Sequence, residues 1–360
     1  MKIVVVSSTV IPCPPPGYSG LEQLAWLQAK GLAERGHDVT LIAPDGSSCP
    51  GVRVACTGPP GQWDEQPAFS RTWQLYLECN GSGAIIDNSW AKYAYMLKAE
   101  GVLTAPVLGV THGVVNASYK APPPCEKPCW TCISEDQANH LRNTLDCDAR
   151  VAYNGVDPEF YKSLGVPRSG RFLFLARFST VKSPHIAIEA CKAAGVGLDL
   201  VGDTSITNEP EYLEQCKRLC DGKQIRMVGG ASRGECVWWF SQAHALIHPN
   251  KHFREPFGLA PVEAMLCGTP VIAWDNGAMR ETVQQGATGV LVKSEEELVN
   301  VVRSFKDQQV PLAQGQTGLS WWYNPDMREG CRAWAERFSV TAMIDRYEQL
   351  CQEAVATGGW

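Results

Sequence analysis

Short apolar runs alternate with helix-like segments along this chain, and the alternation begins twice. The first series has a strand at residues 2–8, a helix from Leu21 to about Arg35 and a strand at Val39–Ala43. The second series starts with a buried strand at Phe172–Ala176 and a helix that runs from Pro184 to Ala194. Strands that are separated in sequence by helices pair in parallel, with helices covering the sheet. The pattern therefore predicts an α/β chain with two similar halves.

The composition fits two globular domains. At 360 residues the chain is long for one domain, and with 44% hydrophobic residues it can bury sizeable cores. The net charge of −6 argues against a broad surface for nucleic acid. No apolar run approaches the roughly 20 residues that span a bilayer, and the start of the chain lacks the pattern of a signal peptide. We therefore expect a cytoplasmic protein without a transmembrane segment.

The chain has fifteen cysteines, which is a large number for such a protein. Most of them lie in apolar elements, where we expect them to serve as small buried hydrophobic residues. Cys125, Cys129 and Cys132 have a spacing that is found in iron–sulfur sites. However, Trp130–Ser134 is predicted to be a strand, and its alternation would turn the thiols apart. We therefore interpret these cysteines as structural and predict no metal site.

The segment Phe253–Thr282 contains the most specific pattern in the chain. It is predicted to form a loop, a short helix and a strand. Pro261 suits the first helical turn, where its missing N–H costs nothing, and Gly268 suits the position just past the helix. Pro270 prevents the helix from resuming, and the apolar run that follows it to Trp274 is predicted to be a buried strand.

Two carboxylates, Glu255 and Glu263, flank the start of this helix. Between them, the backbone N–H groups of Phe257, Gly258 and Leu259 can face a ligand. A helix N-terminus has unpaired donors and partial positive charge, which suit a phosphate, while a carboxylate beside it can accept a hydrogen bond from a sugar hydroxyl. The alternative is that both glutamates only cap and cover an exposed helix start. Spacing alone leaves both interpretations open.

Two cations follow the first strand of the second series. Arg177 and Lys182 lie at the carboxyl end of that strand, next to a helix that Ser183 can cap and Pro184 can start. Two fixed cations in this place suit a diphosphate, since Arg offers a planar fork and Lys a point charge. The alternative is a pair of solvated loop cations.

One histidine follows a predicted strand tip in the first half. His112 comes directly after the strand Val107–Thr111, where a ligand can lie. A single histidine is more often structural than catalytic, so its position alone does not decide its role. His248 and His252 invite a metal interpretation, but we treat them as structural or loop residues. Near the first strand, Gly20 lies where the backbone could approach a ligand closely.

The segment from Glu255 to Ala273 resembles the E-x7-E signature of glycosyltransferase family 4, through the longer pattern EPFGLxxxEAMxxGTPVIA. The residues before Glu22 resemble the PPxxYGGxE pattern of the same family, with Ser19 in place of the first glycine. The resemblance implies the GT-B fold, in which two Rossmann-like doubly wound domains face a central cleft. It also implies a retaining transferase.

The resemblance implies that the two domains bind different substrates. Residues 1–160 are expected to form the acceptor domain, and 161–340 the domain that binds the nucleotide-sugar donor. The N-G-V-D pattern ending at Asp157 is similar to the one that closes the first domain in this family. A C-terminal helix at about 341–356 is expected to pack back on the first domain.

The resemblance also implies roles for the candidate residues. Glu255 and His112 are expected at the transferred sugar, and Glu263 at the ribose. Arg177 and Lys182 are expected at the donor diphosphate, together with the N–H groups of Gly258 and Leu259. The remaining donor-binding candidates are Gly20, Phe257 and Gly229, the last beside the nucleotide base.

The expected reaction is transfer of a hexose-type sugar from a nucleoside-diphosphate sugar, most simply a UDP-sugar, to an acceptor hydroxyl by front-face substitution without a metal or cofactor. The acceptor could be a small molecule, a glycan or a lipid, and peripheral membrane association remains open. Two alternatives are an epimerase of the same fold and a nucleotide-sugar-binding protein without catalysis.

Overall fold

The chain divides into two compact units. A computed structural model describes residues 1–17, 19–114, 127–204, 209–307 and 326–360. One unit comprises Met1–Gly155 together with Phe338–Trp360, and the other comprises Val156–Arg337. The sequence had placed the division between 160 and 161, with the second domain ending at 340.

The first unit is built on a parallel sheet. Its described strands run in the order β3-β2-β1-β4-β5-β6-β7, and every neighbouring pair is parallel. The four apolar residues of the first strand are buried, as expected for a sheet that is covered on both faces. The strands are β1 (Lys2–Val6), β2 (Asp38–Ala43), β3 (Arg53–Cys56), β4 (Ala84–Asp87), β5 (Val107–Thr111), β6 (Trp130–Cys132) and β7 (Ala149–Val151).

Helices connect these strands, and the last helix of the chain returns to the same unit. Gly31 shows how closely this last helix packs, because a Cβ there would meet Ile344 Cγ1 at 2.6 Å. The backbone N–H of Gly155 also donates to Met343 Sδ at 3.1 Å. The helices of this unit are α1 (Gly20–Glu34), α2 (Gln66–Ser70), α3 (Trp73–Leu77), α4 (Tyr93–Ala99), α5 (Glu135–Leu145) and α13 (Val340–Thr357).

The second unit repeats the architecture. Its described strands are parallel in the order β10-β9-β8-β11-β12-β13. They are β8 (Phe172–Leu175), β9 (Leu198–Val201), β10 (Ile225–Gly229), β11 (Leu246–His248), β12 (Val271–Trp274) and β13 (Gly289–Val292). The helices are α6 (Pro184–Ala194), α7 (Pro210–Arg218), α8 (Arg233–Gln242), α9 (Leu259–Leu266), α10 (Met279–Thr282), α11 (Glu295–Asp307) and α12 (Asp326–Ala335).

Two local features differ from what the sequence indicates. Residues 52–66 are loop-rich by sequence, with Gly-Pro-Pro-Gly at their centre and no predicted strand, but residues 53–56 form the edge strand β3, which pairs with β2. Ser183 was expected to cap α6, but it has a left-handed backbone with φ of 51° and its side chain makes no cap hydrogen bond. A short 3₁₀ turn at Thr180–Lys182 precedes it, and Ser183 Oγ donates to the Thr180 carbonyl of that turn instead.

The cysteines in the described ranges are free thiols. Cys129 and Cys132 are buried around β6, whereas Cys125 lies outside the described residues. Burial raises the pKa of the Cys132 thiol to about 12, so it stays protonated. The described part of the chain holds no cluster of three or more His, Cys, Asp or Glu side chains suited to a metal ion. It also contains no helix with the length and apolar character needed to cross a membrane.

Candidate active site

Glu255 is the centre of a polar cluster in the second unit. It lies in the loop between β11 and α9 and is 6% exposed. Three side chains meet one of its oxygens, Oε2. Lys182 Nζ is 2.5 Å away, His248 Nε2 is 3.2 Å away, and Asn250 Nδ2 also donates to it. Lys182 follows β8. His248 is the last residue of the neighbouring strand β11, and Asn250 lies just after it, so the cluster lies at the carboxyl edge of the sheet.

The Glu255 carboxylate is held in its ionised form. Burial by itself raises the pKa of this carboxyl, but the Lys182 ammonium and the hydrogen bond from His248 outweigh that effect and leave the pKa well below its ordinary value of 4.5. Burial lowers the pKa of His248, so the imidazole beside the carboxylate is neutral at pH 7. Lys182 is therefore the cation that compensates the buried negative charge.

The backbone around Glu255 is held by the turn after β12. The Ala278 N–H donates to the Glu255 carbonyl at 2.8 Å. A Cβ on Gly277, whose φ is +59°, would meet that carbonyl oxygen at 2.3 Å, so only glycine fits there. Asn276 Nδ2 donates to the Phe253 carbonyl at 3.1 Å. These contacts fix the loop that carries the carboxylate.

Helix α9 begins immediately after this loop. Gly258 takes its N-cap position with φ of +84°, and Phe257 before it is buried at 1% exposure. A Cβ on Gly258 would meet Met279 Cε at 2.6 Å. The first N–H groups of a helix have no partner inside it, and the absence of a side-chain cap leaves those of Gly258 and Leu259 available to an anion.

Glu263 lies further along α9 and is not among the groups that contact Glu255 Oε2. It is 5% exposed. Burial, and after it the negative charge of the Glu263 carboxylate, raise the pKa of the Cys236 and Cys267 thiols to about 12. Because Cys236 is in α8 and Cys267 follows α9, Glu263 lies near these two helices. It also raises the pKa of Tyr161. The structure thus brings Lys182 to Glu255, but it does not place the second glutamate in the same cluster.

The two cations that the sequence singled out have different surroundings. Lys182 is bonded to Glu255, and its Nζ lies 5.0 Å from the centre of the Phe253 ring. Arg177 is exposed, and its guanidinium has no hydrogen bond or ion pair with any residue that the structure describes. The Arg177 guanidinium can therefore bind a ligand without first breaking an ion pair.

Gly229 is the last residue of β10. Its φ is +103°, and there is open space where a Cβ would be.

In the first unit, His112 occupies the carboxyl end of β5, as its sequence position predicted. Its Nε2 is 2.9 Å from Asn88 Oδ1, and Asn88 Nδ2 donates to Gln28 Oε1 at 2.7 Å. The Asn88 oxygen is thus the acceptor, so Nε2 carries the proton and Nδ1 offers a lone pair. Burial and the nearby Lys92 ammonium lower the pKa of His112 to about 3. His112 is therefore a neutral hydrogen-bond acceptor.

Gly20 is the first residue of α1, and the glutamate after it is buried. Glu22 is 5% exposed and accepts hydrogen bonds from the hydroxyls of Ser8 and Ser19. Ser19, the residue that replaces a family glycine, thus holds this carboxylate with its side chain. Glu22 was not among the site residues predicted from the sequence.

Two family models match the chain one after the other. The model described as Glycosyltransferase Family 4 matches residues 18–160, and the one described as Glycosyl transferases group 1 matches residues 158–316. The chain belongs to the family 4 glycosyltransferases.

The curated relatives of this chain match it over only part of their own length. An uncharacterized glycosyltransferase of Methanocaldococcus jannaschii is 31% identical over 162 residues, which are 45% of this chain and 44% of the relative. D-inositol 3-phosphate glycosyltransferase 1 of Catenulispora acidiphila is 27% identical over 252 residues, which cover 63% of this chain and 57% of that protein. The chain thus spans about half the length of these relatives.

A solved structure supports the GT-B fold. Anabaena HepE, crystallised with UDP, has a TM-score of 0.73 at 20% identity, and the match covers 97% of this chain and 99% of HepE. The two parallel-sheet Rossmann-like units are those expected of this fold.

Two members of the polar cluster were not predicted from the sequence. His248 was expected to be a structural or loop residue, and Asn250 was not among the candidates. Both are buried, at 4% and 2% exposure, and both contact Glu255. One signal was present, because two polar residues at the end of a buried parallel strand point to the edge at which ligands bind.

Proposed function

We propose that this protein is a retaining glycosyltransferase that moves a hexose-type sugar from a UDP-sugar to an acceptor hydroxyl. The observation that carries the proposal is the buried, ionised Glu255 held by Lys182 beside the uncapped start of α9. Anabaena HepE, which has the same fold, has also been crystallised with UDP-glucose. These features fit a donor whose sugar meets a carboxylate and whose diphosphate meets cations.

The chemical demand is charge on the leaving group. As the glycosidic bond breaks, the nucleoside diphosphate gains negative charge, and groups placed in advance stabilise it most effectively. Arg177 supplies free donors. Lys182 has three N–H donors, so it can hold Glu255 and also bind a phosphate oxygen. With the N–H groups of Gly258 and Leu259, these cations perform the role that a divalent metal has in other transferases.

The remaining groups position the sugar. Glu255 accepts hydrogen bonds from donor hydroxyls, and neutral His112 accepts one at Nδ1. Glu263 holds the ribose. A side chain that serves as base is not required, because in front-face substitution a departing phosphate oxygen takes the acceptor proton as the acceptor oxygen bonds to the anomeric carbon. The sugar therefore keeps its anomeric configuration.

The donor half of the proposal can be tested without a known acceptor. Thermal unfolding is measured with UDP, GDP and ADP for the wild type, for Glu263→Gln and for Glu214→Gln, which alters an exposed carboxylate on α7. We expect UDP to stabilise the wild type and Glu214→Gln, and to stabilise Glu263→Gln much less. Release of UDP from UDP-glucose and UDP-galactose is then followed with and without candidate acceptor sugars.

Each result that contradicts the proposal would support a different function for this protein. If none of the three nucleotides raised the unfolding temperature, the donor site would be wrong. Conversion of one UDP-sugar into another without an acceptor would identify an epimerase. Nucleotide binding with no UDP release under any condition would identify a binding protein.

A further inference from the structure

Two exposed tryptophans lie at the same edge of the first sheet as His112. Trp63 is in the loop after β3, and Trp90 is in the loop after β4, which ends at Asp87; their exposed fractions are 67% and 58%. All strands of this sheet are parallel, so the loops after β3, β4 and β5 lie at its carboxyl edge. Large indoles usually have partners, so two that remain exposed at a ligand-binding edge require an explanation.

The buried carboxylate of Glu65 ties the two tryptophan loops together. Glu65 is 2% exposed and lies two residues after Trp63. Its Oε2 accepts from the N–H groups of Trp90 at 2.7 Å and Ala91 at 2.9 Å, while Oε1 accepts from Thr9 N–H at 3.2 Å. The long loop after β3 is thereby held across the edge of the sheet to the ends of β4 and β1.

The Trp90 ring reaches the residue after His112. A Cβ on Gly113 would meet Trp90 Cζ3 at 3.3 Å, so the indole lies against the Gly113 backbone. His112, whose Nδ1 is an acceptor without a partner among the described residues, is the neighbour of that glycine. An apolar ring face thus lies next to the residue that the proposed function assigns to the donor sugar, so an acceptor that covers the indole would lie beside that sugar.

From this juxtaposition we propose that Trp63 and Trp90 form an acceptor subsite that binds a hexopyranose ring. A pyranose has an apolar C–H face that can cover an indole and hydroxyls that polar groups can bind, which is the mixture found here. Asp64 and Gln66, on either side of Glu65, are exposed and polar. Isolated indoles among such residues do not make the continuous apolar patch that a membrane or lipid tail needs. The proposal rests on the proposed transferase function and assigns the class of its acceptor.

The test measures sugar binding directly. Saturation-transfer NMR titrations use the methyl pyranosides of glucose, galactose and mannose with the wild type, Trp63→Ala, Trp90→Ala and Trp73→Ala. The last variant removes a partly exposed indole on α3 and serves as the matched control. We expect at least one pyranoside to bind the wild type and Trp73→Ala alike, and to bind Trp63→Ala and Trp90→Ala roughly three- to tenfold more weakly.

A second pair of variants separates stacking from packing. Trp90→Phe keeps an aromatic face and should retain most of the affinity for the pyranoside. Trp90→Leu keeps an apolar side chain without an aromatic face and should lose most of that affinity. The proposal is overturned if no pyranoside binds the wild type, or if Trp63→Ala and Trp90→Ala bind it as tightly as the control. It is also overturned if Trp90→Leu binds the pyranoside as tightly as Trp90→Phe. Loss of binding to phosphatidylglycerol vesicles in these variants, with sugar binding unchanged, would instead assign the indoles to a membrane. UDP stabilisation is measured on the same samples, so failure of the donor site is seen separately.

Discussion

Lys182 Nζ lies 2.5 Å from Glu255 Oε2, although the two residues are 73 positions apart in the chain. Their side chains are only 16% and 8% exposed. His248 and Asn250 contact the same oxygen, so this carboxylate is enclosed by groups from two neighbouring strand ends. The pair therefore links the stability of the second unit to its proposed donor chemistry.

Removing the cation should leave an uncompensated buried charge. We expect Lys182→Met to lower the free energy of unfolding by about 3–5 kcal/mol, the usual cost of breaking a buried pair. The control is Lys217→Met, which breaks the exposed pair with Glu214 and should cost about 1 kcal/mol or less. Urea unfolding at pH 7 measures both. Equal losses in the two variants would show that Lys182 does not compensate the buried charge.

His112 should remain neutral across the physiological range. Its pKa of about 3 in the folded protein lies below the ordinary value of 6.5, because burial and Lys92 disfavour the imidazolium. Its Cε1 proton resonance should therefore not move between about pH 5 and 8, whereas it should titrate in urea-unfolded protein. The same difference in pKa determines how stability depends on pH, because on acidification the unfolded chain binds a proton at this histidine before the folded protein does.

Stability from His112 is thus fully present above pH 6.5 and decreases as the pH falls towards 3. The variant His112→Asn lacks this contribution, so its unfolding free energy should fall less steeply with acid than that of the wild type. A His112 resonance that titrates near pH 6.5 in the folded protein would contradict the assignment.

Arg177 should affect binding and leave stability unchanged. Its guanidinium is exposed and has no partner among the described side chains, so Arg177→Ala should change the unfolding free energy by less than about 0.5 kcal/mol. If it binds the diphosphate, the same variant should weaken UDP binding by about tenfold to a hundredfold. Calorimetric titration with UDP measures this effect. Arg218→Ala on α7 is the matched control, and identical UDP affinity in both variants would remove Arg177 from the site.

The start of α9 should accept only glycine at position 258. Gly258→Ala puts a Cβ at a φ of +84° and within 2.6 Å of Met279 Cε, so we expect a loss of about 1–3 kcal/mol. Gly234→Ala is the control, because that exposed glycine in α8 has open space around its Cα and should gain about 0.4–1 kcal/mol. Thermal unfolding of both variants measures these changes in stability. A neutral Gly258→Ala would show that the cap geometry is not required.

Local chemistry determined most of the elements. The strand Val107–Thr111 has the bounds that its sequence predicts. Gly268, with φ of +76°, ends α9 as its position after an apolar helix predicts. The strand β3 was missed because an edge strand is only partly buried, so its residues lack the continuous apolar pattern of a central strand.

What the sequence by itself determined was the α/β class, the family motif, the positions of Lys182 and His112 after strand ends and the position of Glu255 before a helix start, since these follow from local periodicity and spacing. Only the tertiary structure decided that His248 and Asn250 enclose Glu255, that Lys182 has a partner while Arg177 has none among the described residues, and that Glu65 joins two tryptophan loops. These relationships depend on which strands are neighbours and on how loops between them pack. A local pattern can indicate that a polar residue lies at the ligand-binding edge of a sheet, but contacts between groups distant in sequence leave no periodic signal, so it cannot show which residues meet there.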